Sequence, residues 1–471
     1  GRREAGKAAG IFVMGIITVE RFRALVDEAF GGPLAASASS AAVFRGSVYV
    51  GTSCLGLTGT ADAPRIMRYD PETDRWETVY ASPLVQPTLR SHSPDLRFAT
   101  HIKGVDAASS VQGGGEAVAR DEGYRSMCVW AANTEGNPAL YVSSMSRSGG
   151  VLLRSSDGWR FDQVGEAGLG NPDVYSLTNI VEFGGRMFAT PAGTVTDQYL
   201  DPHLAPEAKV LVCDDPESGI WRDAAEIGFG DPANTGIVCL AGAHRRLYAG
   251  TLNADRGFQL WATNAEGTPP YSWTRIVVDG AGAFNQNSTV CAMAEFNGAL
   301  YVGGGITGNG YDIVHGIGPA SAELIRVNAD GSWDLIAGRM RFTKDGLKVP
   351  LSLLGPGLGD FYNAGIWALA EHEGALYLGT HQWEALRALE LDRDPLVGGY
   401  QLWASENGED WELIIDDGHG NPAEFGIAVL QSTPFGLLVG THTEGGLLRV
   451  IGETKKRTIA TKPGFEVLIG A

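Results

Sequence analysis

Two histidines stand in matching frames near the end of the chain. His381 follows Gly379-Thr380 and precedes Gln382-Trp383, and His442 follows Gly440-Thr441 and precedes Thr443-Glu444. An imidazole near neutral pH moves protons and ligates metals, so one such residue per repeat at a channel mouth suits general acid–base work or a shared cation. Matching stretches elsewhere read Ser143-Ser144 and Leu252-Asn253. No carboxylate or third histidine recurs in step, so a hydrogen-bonding role is preferred to a metal site. A second ionisable set lies in the long stretch Ser82–Gly123, with Arg90, His92, Asp95, Arg97, His101 and Lys103. Arginine there would neutralise an oxyanion or phenolate, and histidine would transfer a proton. Tyr311, Asp312 and His315 form a third group, and Asp360, Tyr362 and Asn363 a fourth.

The residues expected to carry a reaction are therefore Arg90, Arg97, His101, Tyr362 and His381. Trp383, His442, Asp312 and Asp360 are expected to bind the substrate, and no metal ligand set is expected. The chain has no nucleophile elbow, phosphate loop or dinucleotide fingerprint, so the cofactor stays open.

These residues hang on a repeat. One unit reads apolar strand, tight turn, aromatic–apolar–Gly–Thr, loop, apolar strand, turn, Trp-led strand. Ile366-Trp367-Ala368-Leu369, Leu376-Tyr377-Leu378-Gly379-Thr380, Tyr400-Gln401-Leu402-Trp403 and Trp411-Glu412-Leu413-Ile414 make one copy. The second-strand aromatic recurs at Tyr49, Tyr141, Phe188, Tyr248, Tyr301 and Tyr377, with Leu438 in a seventh copy. A fourth-strand tryptophan recurs at Trp76, Trp159, Trp221, Trp273, Trp333 and Trp411. A unit this short cannot bury both of its faces, so copies must stack, and the recurrent rings read as wedges between them.

The pattern predicts an all-β fold, a seven-bladed β-propeller of four-stranded antiparallel blades over 37–471. Residues 1–36 are expected to form a short strand, Ile11–Thr18, and a short amphipathic helix, Val19–Phe30. That strand, or the tail around Phe465–Ile469, would complete the seventh blade and close the ring. Ser155-Ser156-Asp157-Gly158-Trp159 and Ser405-Glu406-Asn407-Gly408 read as Asx-capped turns between third and fourth strands. Loops on one face are short, as in Phe296-Asn297-Gly298. Those on the other face, Gly305–Ser321, Thr380–Gly399 and Ser82–Gly123, are long and varied, which marks a binding face. Recurrent Gly-x-Gly-Asx runs (Gly168–Asn171, Gly228–Asp231, Gly357–Asp360, Gly418–Asn421) read as sharp bends between blades, not as nucleotide loops.

With 55 acidic against 36 basic residues and a net charge of −19, the chain repels phosphate backbones and anionic bilayers, which argues against nucleic-acid and membrane partners. Five scattered cysteines without metal spacing point to a reducing, cytoplasmic setting. The partner expected is a small molecule, and the oligomeric state is open.

The repeat resembles Kelch-like bacterial propellers over residues 37–452. More narrowly, Gly355-Pro356-Gly357 and Asn363-Ala364-Gly365-Ile366-Trp367 through Gly379-Thr380 are similar to a segment in the propeller of cyanobacterial enzymes that alkylate a resorcinol in cylindrocyclophane-type biosynthesis. The resemblance implies a site at the propeller mouth built from Arg, Asp and Tyr side chains. The chain differs from that pattern in carrying His381-Gln382-Trp383 where an aspartate is expected, and it lacks a calcium-binding repeat region. The function expected is an enzyme acting on a small aromatic or apolar molecule at the channel mouth, with C-alkylation of a phenol the sharpest form. The alternative is a non-catalytic propeller binding a protein or a carbohydrate.

Overall fold

The computed structural model describes residues 15–26, 30, 35–54, 63–86, 117–131, 136–146, 148–171, 173–194, 205, 207–312, 314–393, 396–455, 462 and 464–471. The chain runs as successive four-stranded antiparallel meanders, each built from two long inner strands and two shorter outer ones. The first is Ala35–Phe44, Ser47–Cys54, Arg65–Asp70 and Arg75–Ala81. Comparable units begin at Gly123, Val174, Gly236 and Thr289. Asn363–His372, Ala375–Gln382, Leu402–Ser405 and Glu412–Ile415 make the next.

The last meander takes strands from both ends of the chain. Glu424–Thr433 pairs with Gly436–Thr443, which pairs with Val467–Gly470, which in turn pairs with Phe22–Val26. The N-terminal segment thus supplies an outer strand, but not the expected one. Val19–Arg21 is a single 3-10 turn, and Phe22–Val26 is extended where a helix was expected. Phe22 and Val26 are buried against the tail, and that tertiary partner overrides a helical periodicity of only three turns. The tail supplies the third strand, not the outer one. Of the expected strand Ile11–Thr18, residues 11–14 lie outside the described residues, and 15–18 carry no regular structure.

Neighbouring meanders meet through one bridge between the end of a second strand and the start of the next first strand. Ser53↔Gly123, Met145↔Ser176, Leu252↔Thr289, Gly305↔Gly365, His381↔Gly426 and His442↔Ser37 occupy this place, and the last of these joins the final meander to the first. The fold is propeller-like and all-β.

The second-strand aromatics are the wedges between units. Tyr49, Tyr141, Tyr248, Tyr301 and Tyr377 are buried. The Tyr301 hydroxyl sits under the turn of the next meander, where a Cβ on Gly408 (φ +80) would lie 1.8 Å from it; Tyr49 does the same beneath Gly158. Both turns are held as expected: the Asp157 carboxylate accepts from the Trp159 and Arg160 amides, and the Asn407 side chain from the Glu409 and Asp410 amides. Trp159 departs from the wedge expectation. It is 50% exposed, and the Arg68 guanidinium covers its ring 4.4 Å from the centroid.

Two helices stand on the long-loop face. α1 (Glu384–Glu390) lies within the expected loop Thr380–Gly399, and α2 (Gly445–Thr454) follows the second strand of the last meander. They bury Leu386, Leu389, Leu448 and Ile451 against Phe425. Lys455 closes the C-terminus of α1 by donating to the carbonyls of Leu389 and Glu390. Among the described residues no helix is long and apolar enough to cross a membrane.

Candidate functional site

The inter-meander bends are side-chain clamps. In the run Gly357–Asn363, Gly357 and Leu358 both take positive φ, and Asn363 closes the bend by donating to the Gly357 carbonyl at 2.9 Å. The same amide donates to Gln401 Oε1 at 2.6 Å, Gln401 Nε2 donates to Asp360 at 3.0 Å, and Trp403 Nε1 donates back to Gln401 at 3.0 Å. Asn234, Gln259, Asp231 and Trp261 repeat this clamp two meanders earlier. Asp360, expected to bind substrate, is thus occupied as a clamp acceptor; it also takes the Tyr362 amide at 2.9 Å.

His381 lies in the interior, not on the rim. It is 1% exposed, and its ring stacks on Trp367 at 3.8 Å and 11°. Burial, then the neighbouring His442, hold its pKa well below the usual imidazole range, so it is neutral at physiological pH. Both ring nitrogens lack partners among the described residues. His442 packs edge-on against the other side of this pair, 5.4 Å from Trp367, and contacts Glu444 Oε1 at 3.2 Å. The equivalence read as Ser143–Ser144 shifts by one residue. The residue in the place of His381 is Met145, because Ser143 and Ser144 stand where Gly379 and Thr380 do.

The loop after Ala299–Gly305 reaches over the neighbouring meander. Its Asn309 contacts Glu444 Oε1 at 3.5 Å, tying it to the last unit, and Gly310 lies so tightly on Trp383 that a Cβ there would come within 2.1 Å of the ring. Trp383 is consequently packed, with Tyr362 at 5.1 Å and Phe361 at 6.1 Å, and is not the open pocket wall expected. Phe361 itself is 51% exposed and Tyr311 40%. Phe361, Tyr362 and Trp383 form an aromatic shelf beside the loop.

Within that loop Asp312 and His315 are joined. The carboxylate accepts from His315 Nδ1 at 2.8 Å and from the His315 amide at 3.0 Å. Burial alone would raise the Asp312 carboxyl, but these hydrogen bonds and the imidazole hold it below the usual carboxylate range. Asp312 is 1% exposed and His315 23%, so the carboxylate is closed off and part of the ring reaches the surface. A carboxylate on Nδ1 fixes the tautomer that leaves Nε2 as the basic nitrogen. The sequence placed both residues on this face, but their i, i+3 spacing does not reveal which groups touch.

The last meander also rebuilds the clamp with carboxyls. Glu424 stands where Asn234 and Asn363 stand, and Glu466 where Gln259 and Gln401 stand: their amides take the same Thr hydroxyl, Thr441, Thr251 or Thr380. Burial, with Glu466 adding to it, pushes Glu424 up to about 8. Burial and the same two carboxyls raise the neighbouring Tyr400 phenol well above its ordinary range. No signal in the sequence separates these two glutamates from solvated ones. The cysteines behave as buried hydrophobes, with Cys128, Cys213, Cys239 and Cys291 pushed up to about 12 by desolvation. No group of three or more metal-binding side chains occurs among the described residues. Arg90, Arg97 and His101 lie outside the described residues.

A propeller-like fold with its long loops and a His–buried Asp pair on one face is the class this architecture defines. No family model and no curated protein matches the chain. Among solved structures it is similar to the polysaccharide lyase Uly1, at 13% identity and TM-score 0.50 over 96% of this chain and 100% of that one. It is also similar to the GH74 xyloglucanase of Xanthomonas campestris (16% identity, TM-score 0.47, 90% of this chain and 52% of that one). The GH74 enzyme of Niastella koreensis gives 13% and 0.46 over 90% of this chain and 53% of that one. The chain thus spans about half the length of the two GH74 enzymes. At these identities the likeness speaks to fold alone. None of the three is a Kelch protein or an alkylating enzyme.

Proposed function

We propose that the meanders form a closed seven-bladed propeller, and that the protein is a carbohydrate-active enzyme cleaving an acidic polysaccharide by elimination. The observation that carries this reading is the Asp312–His315 pair, a partly exposed imidazole with a buried, ionised carboxylate on Nδ1. Hydrolysis of a glycosidic bond ordinarily uses two carboxyl groups facing one another across it. Here Asp312 is engaged by His315, and Glu444 by His442 and Asn309. A histidine base suits removal of a proton from carbon instead, and only the carbon next to a carboxylate is acidic enough. The substrate class is therefore a chain containing uronic acid. His315 takes that proton, the electron pair forms a carbon–carbon double bond, and the glycosidic oxygen on the β-carbon leaves and is protonated.

In this reading Arg90 and Arg97 neutralise the uronate, and Tyr362 or His101 supplies the proton to the leaving oxygen. Tyr311 and Phe361 offer apolar faces to the C–H surface of a sugar ring. His381 supports Trp367 and His442 from behind. The whole-fold likeness to a polysaccharide lyase accords with this proposal. Spaced carboxylates carry far less charge density than nucleic acid, so a net charge of −19 is compatible with such a ligand.

The test is a screen of polygalacturonate, alginate and neutral β-glucans. Elimination gives an unsaturated product that absorbs in the ultraviolet. Reducing ends without that absorbance would mean hydrolysis, and neither signal with any polymer would leave a non-catalytic binder.

A further inference from the structure

A cavity of about 540 Å³ opens beside the loop that carries the His–Asp pair. Its walls include Gln286, Ala320, Ser321, Arg339 and Phe361, and its floor is the ion pair of Glu323 with Arg341. The repeat explains why the space is there. Glu323 precedes the third strand, as Gln259 and Gln401 do, where the other clamps bind a loop aspartate. In this unit the preceding loop carries Ala283 after Gly282 and holds no such aspartate. Glu323, 4% exposed, turns instead to Arg341 of the hairpin Arg341–Thr343/Gly346–Lys348 and is gripped at 2.9 and 2.7 Å, while Arg341 Nε donates to the Ala281 carbonyl at 2.9 Å. Asn287 still closes the bend by donating to the Gly280 carbonyl at 3.2 Å, but the link to a loop aspartate is missing and its place is open.

The surroundings are those of a ligand site, not of a solvated gap. Phe361 on the wall is 51% exposed. Exposed phenyl groups cost solvation unless something covers them. Arg339 is exposed and forms no ion pair among the described residues, whereas Arg341 beside it is fully engaged. A volume of this order admits one or two sugar rings. Phe361 is shared with the shelf beside Trp383, so the cavity and the His315 loop border one continuous surface.

We propose that this cavity is an accessory subsite that holds an acidic sugar residue of the chain away from the bond being cleaved, with Arg339 on its carboxylate, Gln286 on its hydroxyls and the Phe361 ring against its own. The proposal rests on the carbohydrate reading but not on the catalytic role of His315. The experiment is affinity electrophoresis of the full chain through gels containing polygalacturonate, alginate or neutral β-glucan, comparing wild type with Arg339→Glu and Phe361→Ala. Both cavity positions are exposed, so these variants keep the fold; matching circular dichroism verifies it. The expected result is retardation by an acidic polymer that weakens at least tenfold in Arg339→Glu and clearly in Phe361→Ala. Equal retardation of Arg339→Glu and wild type, retardation by the neutral polymer alone, or no retardation in any gel would overturn the proposal. Retardation lost on Arg339→Glu in a protein without elimination activity would keep the subsite and reject the catalytic reading.

Discussion

At the scale of single residues, chemistry is decided by what stands behind each side chain. His381 and His442 share one sequence frame, yet Trp367 seals the first and leaves the second beside Glu444. His315 has no repeat partner, and its Nδ1 is hydrogen-bonded to a buried carboxylate at 2.8 Å. Replacing His315 with Ala should lower kcat by about 10²- to 10⁴-fold, the ordinary contribution of a positioned base, with the melting temperature little changed. Asp312→Asn should lower kcat by about 10²-fold through loss of the tautomer and should shift the pH–rate profile, which a purely structural role would not. The residue types were legible in the sequence, as was the face that carries them. Their pairing was not, because a loop that crosses a neighbouring unit to reach Glu444 leaves no trace in local spacing.

At the scale of elements, the clamps and wedges hold the loops in place. Asn363→Ala would remove two hydrogen bonds at once, leaving the Gly357 carbonyl to the Asp360 amide and Gln401 Oε1 to Trp403 Nε1, a cost of about 1–3 kcal/mol, read from chemical denaturation. The carboxyl version of the clamp adds a pH dependence with a definite sign. Glu424 holds its proton to about 8 in the folded state, whereas an unfolded glutamate loses it near 4.5. The folded state therefore binds more protons between these values, and stability contributed by this group falls as pH rises through that window and is lost above it. Glu424→Gln, a neutral near-isostere, should raise the melting temperature relative to wild type at pH 8–9 and match it at pH 4. Each pKa unit is about 1.4 kcal/mol, so the gain is on the order of a few kcal/mol. Equal pH profiles would mean that Glu424 is ionised in the fold. Turn and strand motifs were readable because close contacts enforce them: only glycine tolerates the Tyr301 hydroxyl at Gly408. The segment Val19–Phe30 was misread because its extended form depends on Val467–Gly470, more than 440 residues away in sequence.

At the scale of the whole molecule, both chain ends meet in one meander, and His442↔Ser37 joins that unit to the first. Removing residues 1–26 would strip the outer strand and expose Val467, Leu468 and Ile469, all buried now. Thermal unfolding should then begin at lower temperature and lose cooperativity, and hydrogen exchange should rise first in 436–443 and 467–470. The repeat announced this architecture, since units that cannot bury their own faces must stack. It did not announce the use made of one face. That depends on where the repeat is broken: the clamp that lacks its aspartate at Glu323, the carboxyl pair at Glu424 and Glu466, and the crossing loop with Asp312 and His315.

The most direct test of the central claim is the ultraviolet assay for unsaturated product on polygalacturonate and alginate, run on wild type beside His315→Ala. The account predicts product from at least one of these polymers with wild type, and a loss of at least a hundredfold in the variant. Absence of product from both, or equal rates for the two proteins, would contradict it.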